Sequence, residues 1–96
     1  MTRSEILKKL EQYKSRNQQK YRFNKIGLFG SFAREEGDVE SDIDIIVDQI
    51  EPDLFILGAI KTDLEDELGI RVDIIRLRKG MNNLLKERIA REAIYV

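Results

Sequence analysis

Gly30-Ser31, Asp42, Asp44 and Asp73 are the residues of this chain whose types and spacing can do chemistry. A ten-residue spacer separates Gly30-Ser31 from Asp42-Ile43-Asp44-Ile45, and Asp73 follows in Arg71-Val72-Asp73-Ile74-Ile75. Asp42 and Asp44 alternate with apolar residues in a strand-like run, so their carboxylates share one face, about 6.5–7 Å apart along the chain. Acids in so apolar a strand are costly unless a charge compensates them. From Glu35 to Asp53 there are nine acids and no Lys or Arg, so a cation from solution is the simplest local remedy. Mg²⁺ takes oxygen ligands and usually keeps substrate phosphates in its shell. A strand carrying Asp73 beside the first would complete a carboxylate triad. Two metal ions about 3.5–4 Å apart on such a triad can hold the attacking and leaving oxygens of an in-line phosphoryl displacement. Asp73 is also a candidate acceptor for the proton of an incoming hydroxyl.

The phosphate-binding half is Leu28-Phe29-Gly30-Ser31-Phe32-Ala33-Arg34. Gly30 allows a close backbone turn. Ser31 is a good helix N-cap, and the free N–H groups of a helix N-terminus face an anion. Arg34 lies about one turn on, where its guanidinium can reach the same phosphates. No Gly-Lys-Ser/Thr follows, so this is not a Walker A loop. A Gly-Ser pair alone carries almost no information; the acidic strand after it gives it meaning.

The elements that must position these residues are legible in outline. Thr2-Arg3-Ser4-Glu5 is a capping-box pattern that predicts a helix to about Lys20, with Ile6, Leu10 and Tyr13 on one face. Its basic remainder reads as a solvated face. Strands are expected over Lys25–Phe29, Ile43–Val47 and Arg71–Leu77, with a short helix over Ser31–Glu35 and an acidic turn from Gly37 to Ser41. Asp38 and Asp48 read as solvated turn acids. Pro52-Asp53 opens a second long helix that Gly69 ends after Leu68. The stretch from Leu54 to Ile60 leaves little polar face, and a helix apolar all round needs cover on more than one side. A homodimer or hetero-oligomer through Leu54–Ile60 is therefore expected as one of two explanations, cover by neighbouring helices being the other. A last helix is predicted from about Asn82 to Glu92, its face set by Leu84, Leu85, Arg88 and Ile89, with Ile94-Tyr95-Val96 as a terminal edge strand. The order suits a single α/β domain over 1–96, a small mixed sheet flanked by helices. Strand order does not follow from it.

Composition narrows the chemistry. Ninety-six residues fit one domain. There is no Cys and no His, which removes a thiol nucleophile, the usual general base and the usual zinc ligand. Carboxylates, hydroxyls and cations remain. A net charge of −1 argues against nonspecific binding to a polynucleotide backbone. No apolar run is long enough to span a membrane, and a cytoplasmic location is expected.

Gly30-Ser31-Phe32-Ala33-Arg34 followed by Ser41-Asp42-Ile43-Asp44-Ile45-Ile46-Val47 resembles the signature of the DNA polymerase β-like nucleotidyltransferases, in particular their minimal nucleotidyltransferase (MNT) branch. The ending from Leu85 to Val96 resembles it too. The resemblance implies a polymerase β-like palm fold, Gly30 and Ser31 as the triphosphate-binding pair, Arg34 as the arginine common in the MNT string, Asp42 and Asp44 as metal ligands, and Asp73 as the third carboxylate. It further implies ATP as substrate, a Mg²⁺ site, and an antitoxin paired with a HEPN-domain toxin whose tyrosine receives AMP. One departure is visible: many relatives carry Gly directly after that arginine, and here Glu35 stands there. Two other readings fit the residues. The fold could neutralise a toxin by occlusion alone, although three acids on apolar strands serve no purpose in a decayed site. It could also act on a small molecule of the aminoglycoside type, although no second domain is evident to hold such an acceptor.

Overall fold

The Thr2 hydroxyl accepts from the Glu5 N–H while the Glu5 carboxylate accepts from the Thr2 N–H, so the capping box is closed on both sides. It starts α1 (Arg3–Tyr21), which ends on Arg22 in a left-handed conformation. The computed structural model describes residues 1–96 and continues with β1 (Phe23–Phe29), α2 (Gly30–Ala33), β2 (Ile43–Gln49), α3 (Leu54–Leu68), β3 (Val72–Arg76), α4 (Asn83–Glu92) and β4 (Ile94–Tyr95). No helix is long and apolar enough to cross a membrane.

The four strands form one sheet in the order β3-β2-β1-β4. β2 runs antiparallel to β1 and parallel to β3, and β4 closes the far edge antiparallel to β1. The terminal edge strand expected from Ile94-Tyr95-Val96 is thus present over its first two residues. It passes so close to β1 that a Cβ on Gly27 would meet the Ile94 carbonyl oxygen at 2.8 Å, which is why this mid-strand position carries glycine.

Alternation along β2 sorts its residues onto two faces. Ile43, Ile45 and Val47 join Ile26 and Leu28 of β1, Ile6, Leu10 and Tyr13 of α1, and Ile60, Leu64 and Leu68 of α3 in the main core. Ile46 goes the other way, to a small cluster with Phe29, Met81 and Ile89 beneath α4. One face of the sheet is therefore fully covered by two long helices. The other is covered only in part, by α4, and the rest of that face is where Asp44 lies.

Several expectations need correction. Tyr13, on the α1 face with Ile6 and Leu10, is only 1% exposed, and its hydroxyl donates to Asp63 Oδ2 at 2.8 Å across to α3, so its polar tip is satisfied inside the helix pair rather than at the edge of the core. Asp48 is a half-buried residue of β2, not a turn acid, because the strand runs on to Gln49. Within Leu54–Ile60 the exposed apolar surface is narrower than predicted. Leu54 and Phe55 are 82% and 93% exposed, whereas Ile60 is fully buried and Ile56 and Leu57 pack against the main core. One neighbouring helix, α1, and the sheet together cover the second half of the segment, where cover by two helices was the alternative; the first turn is left bare.

Asp53 caps α3, its carboxylate accepting from the N–H groups of Phe55 and Ile56 at 2.9 and 3.1 Å. Its backbone in turn satisfies the buried Gln49 side chain through two hydrogen bonds. Asp53→Ala removes only the cap and should cost about 1 kcal/mol, seen as a fall of about 4–8 °C in the melting temperature of a domain this size.

Candidate active site

Asp44 and Asp73 are register partners on the adjacent parallel strands β2 and β3. Side chains at such paired positions point to the same face, with backbones about 4.8 Å apart. Phe29 pairs with Asp44 from the other side, and the chain leaves β1 there into Gly30. Gly30 has φ +75, and a Cβ at this position would overlap Asp44 Oδ2. The glycine is required twice, by its left-handed backbone and by the carboxylate that takes up the space of a side chain. Asp42 lies immediately before β2, two residues from Asp44.

Burial pushes the Asp44 carboxyl above its usual value, and the negative charges of Asp73 and then Asp42 push it further, against a smaller opposing effect of Arg34. Both neighbouring acids thus repel the Asp44 carboxylate, which is the electrostatic condition a bound cation relieves. Asp42 also has a neighbour not foreseen from the absence of basic residues around it in sequence: Arg71, which leads into β3, lies with its Nε 3.3 Å from Asp42 Oδ1. The guanidinium is 81% exposed, so the pair is weak. With Asp42 drawn toward Arg71, no three acidic groups are near enough to enclose one ion as the side chains stand. The donor type fits a hard divalent cation.

Ser31 does not cap a helix. The cap of α2 is Phe29, through its backbone alone, and Ser31 is the half-buried second residue of a four-residue helix. The helix begins one residue earlier than predicted because Gly30 itself takes the first helical position. Arg34 is at the end of this turn. Its Nε donates to Glu36 at 2.8 Å and its Nη1 to Glu92 at 3.5 Å, and the Glu36 hydrogen bond raises its pKa. Glu92 also accepts from Arg88 at 3.3 Å, and the Arg88 guanidinium lies 5.6 Å from the centre of the Phe29 ring. Two arginines bridged by one glutamate therefore stand beside Gly30. Arg88 was legible only as part of a helix face; the i,i+4 spacing to Glu92 marks the ion pair, but its place over Phe29 depends on how α4 folds back.

Glu35, the residue standing where many MNT relatives have glycine, has φ +60. The turn keeps the left-handed conformation that a glycine would take without strain, and Glu35 adopts it at a cost of about 1–2 kcal/mol. Its carboxylate is paired with Arg3 at 3.0 Å.

Residues 8–96 match the model of the family described as "Polymerase beta, Nucleotidyltransferase". The chain belongs to this family. Among curated proteins, this nucleotidyltransferase is 41% identical over 96 residues to one from Methanocaldococcus jannaschii named "Putative protein adenylyltransferase", covering 99% of this chain and 98% of the relative. It is 33% identical to the protein adenylyltransferase MntA of Thermococcus cleftensis over 100% of this chain and 97% of that one. A solved structure titled as a "putative minimal nucleotidyltransferase" superposes with a TM-score of 0.78 at 32% identity, covering 98% of this chain and 95% of the other. The fold is also that of an MNT antitoxin solved with a tri-AMPylated HEPN toxin of Shewanella oneidensis, at a TM-score of 0.67 and 18% identity over 98% of this chain and 71% of that one. The nucleotidyltransferase enzyme class and the small mixed α/β sheet predicted from the sequence both stand.

Proposed function

We propose that this nucleotidyltransferase transfers AMP from Mg²⁺-bound ATP to a tyrosine hydroxyl of a HEPN-type toxin and so acts as its antitoxin. The observation that carries this reading is the in-register pairing of Asp44 with Asp73, with Asp42 two residues away, directly beside the Gly30 turn. The names of the curated relatives support adenylyl transfer to protein, and the toxin complex formed by a structural neighbour supports the kind of partner.

Asp42, Asp44 and Asp73 would hold the metal, which supplies charge neutralisation on the phosphates when bound. Gly30 and Ser31 bring backbone N–H groups to the triphosphate. Arg34 reaches the same phosphates only by leaving Glu36 and Glu92. Asp73, the most exposed of the three acids, accepts the proton of the tyrosine hydroxyl. The hydroxyl oxygen bonds to the α-phosphorus, the bond from that phosphorus to the bridging oxygen breaks, and pyrophosphate leaves. Label transfer from α-labelled ATP to the purified partner, dependent on Mg²⁺, tests this; a partner that stays unlabelled overturns it.

Arg71 has a defined place in this reading. A fixed positive charge on Asp42 competes with a dication for the same carboxylate. Arg71→Ala should tighten binding of Mn²⁺, used as a paramagnetic probe, by about three- to tenfold at low ionic strength, and added salt should shrink the difference. Titration of Mn²⁺ relaxation with both forms checks it.

The bare first turn of α3, with Leu54 and Phe55 exposed, favours a second reading in which toxin binding without transfer is enough to neutralise. Retained neutralisation by Asp42→Asn/Asp44→Asn in cells would establish it.

A further inference from the structure

The partly covered face of the sheet holds a second feature at the end opposite Gly30. Between the β3–α4 connection, α4 and the β4 edge lies a groove of about 410 Å³, within the usual range of about 300–1,000 Å³ for ligand sites. Leu77, Met81, Ile89 and Tyr95 form its apolar surface, and Arg78, Lys79 and Lys86 stand around it. The chain's ion pairs engage Arg3, Arg16, Arg22, Arg34, Arg71 and Arg88. None of the three groove cations is among them. The Lys86 ammonium donates only to the Lys79 carbonyl, at 3.1 Å. Lys25, the register partner of Asp48, adds a fourth cation 5.4 Å from the centre of the Tyr95 ring. Asp48 is the one acid on the groove. In a chain of net charge −1, this concentration of unpaired positive charge around an apolar floor is local and specific in sign.

Its position relates it to the aspartates. Asp48 lies on the same face of β2 as Asp44, four residues on, about 13 Å along the strand. Ile46 between them is buried under Met81 and Ile89, so an extended segment seated in the groove passes over these side chains and needs at least about four residues to reach the aspartates.

We propose that the groove docks the acceptor protein through an extended segment that pairs apolar residues with acidic ones, holding it so that a tyrosine four or more residues away reaches the three aspartates. The inference rests on the reading of the chain as a protein-modifying nucleotidyltransferase. It adds where the acceptor is gripped and what chemistry it must present. An acidic group meets Arg78, Lys79 and Lys86, while a leucine or phenylalanine fills the space over Met81 and Ile89.

The test is binding of a peptide without nucleotide, so that it does not depend on catalysis. The probe is Glu-Glu-Leu-Phe-Gly-Ser-Gly-Tyr, with Lys-Lys-Leu-Phe-Gly-Ser-Gly-Tyr as control, titrated into the full chain and into Asp42→Asn/Asp44→Asn while amide and methyl NMR signals are recorded. The acidic peptide is expected to move the signals of Met81, Ile89 and Tyr95 equally in both proteins, and the basic control to leave them unmoved. Arg78→Glu/Lys79→Glu/Lys86→Glu, a change of exposed side chains only, should weaken binding about tenfold or more at low salt. Binding of both peptides alike, binding unchanged by the charge reversal, or no shift up to about 1 mM peptide overturns the proposal. So does ATP or AMP moving these signals where the acidic peptide does not, since the groove then belongs to the nucleotide. Failure of AMP transfer to the partner with peptide binding intact would instead count against the catalytic reading alone.

Discussion

Asp42→Asn/Asp44→Asn should lower AMP transfer by at least about a thousandfold while leaving the fold intact or stabilised. Loss of a single preorganised electrostatic contact to a developing charge is worth about a hundred- to a thousandfold in rate, and this change removes two of the three carboxylates proposed to hold the metal, with no His or Cys in the chain to replace them. The stability half of the prediction follows from the sign of the Asp44 shift. Its folded-state pKa lies above the ordinary carboxylate value because of burial and then of Asp73 and Asp42. An acid with a raised pKa binds its proton more tightly in the folded than in the unfolded chain. Stability therefore falls as pH rises through the window between the two pKa values, and the full penalty is present above the folded one. Asp44→Asn removes that penalty. Because the group is partly solvated, screening reduces the gain, and a rise of about 2–5 °C in melting temperature at neutral pH is expected. The difference between the two forms should shrink as pH is lowered through the raised pKa. Transfer by the parent enzyme should fall over the same window, at a higher pH than an ordinary carboxylate would dictate. Thermal melts and transfer rates measured across pH decide both. A variant that melts well below the parent at neutral pH would show that Asp44 stabilises the fold, contrary to this account.

The same aspartates show how far residue types reach. Alternation in Asp42-Ile43-Asp44-Ile45 was enough to place two acids on one face, and the β-branched run around Asp73 was enough to place it on a strand. That β3 lies next to β2 with Asp73 opposite Asp44 was not legible, because sheet order is decided by which connections the helices can make over the core. Arg71 was missed as a partner of Asp42 for the same reason: the two are far apart in sequence and adjacent only through that strand pairing. The apolar stretch from Leu54 to Ile60 was read correctly as lacking a polar face, yet only packing could divide it into a buried half and an exposed first turn. Ser31 as a cap failed on a detail of one residue, since the short helix after β1 begins at Gly30 and its cap is the backbone of Phe29. Glu35 is the instructive case. The sequence marks it only as a departure from the family, and the backbone shows it in the left-handed conformation that a glycine adopts without strain.

Gly30→Ala should destabilise the chain by about 2–5 kcal/mol and remove transfer activity. Two costs combine. An alanine at φ +75 carries the left-handed penalty of about 1–2 kcal/mol. Its methyl group also overlaps Asp44 Oδ2, and forcing a packed neighbour aside costs about 1–3 kcal/mol. The second cost is tied to one side chain, so it can be isolated. In Gly30→Ala/Asp44→Ala the carboxylate is gone and the methyl has room, so only the backbone strain should remain. The double variant should therefore be more stable than the sum of the single changes predicts, by about 1–3 kcal/mol, a coupling of the size seen for residues in contact. It should have no transfer activity, because Asp44 is absent. Denaturant unfolding of the parent, both single variants and the double variant measures the coupling. Additive free energies would mean that Gly30 and Asp44 do not share this space, and the glycine would then be explained by its backbone alone. A coupling of the expected size would tie Gly30 to the strand that carries Asp44, so that neither residue can be changed without displacing the other.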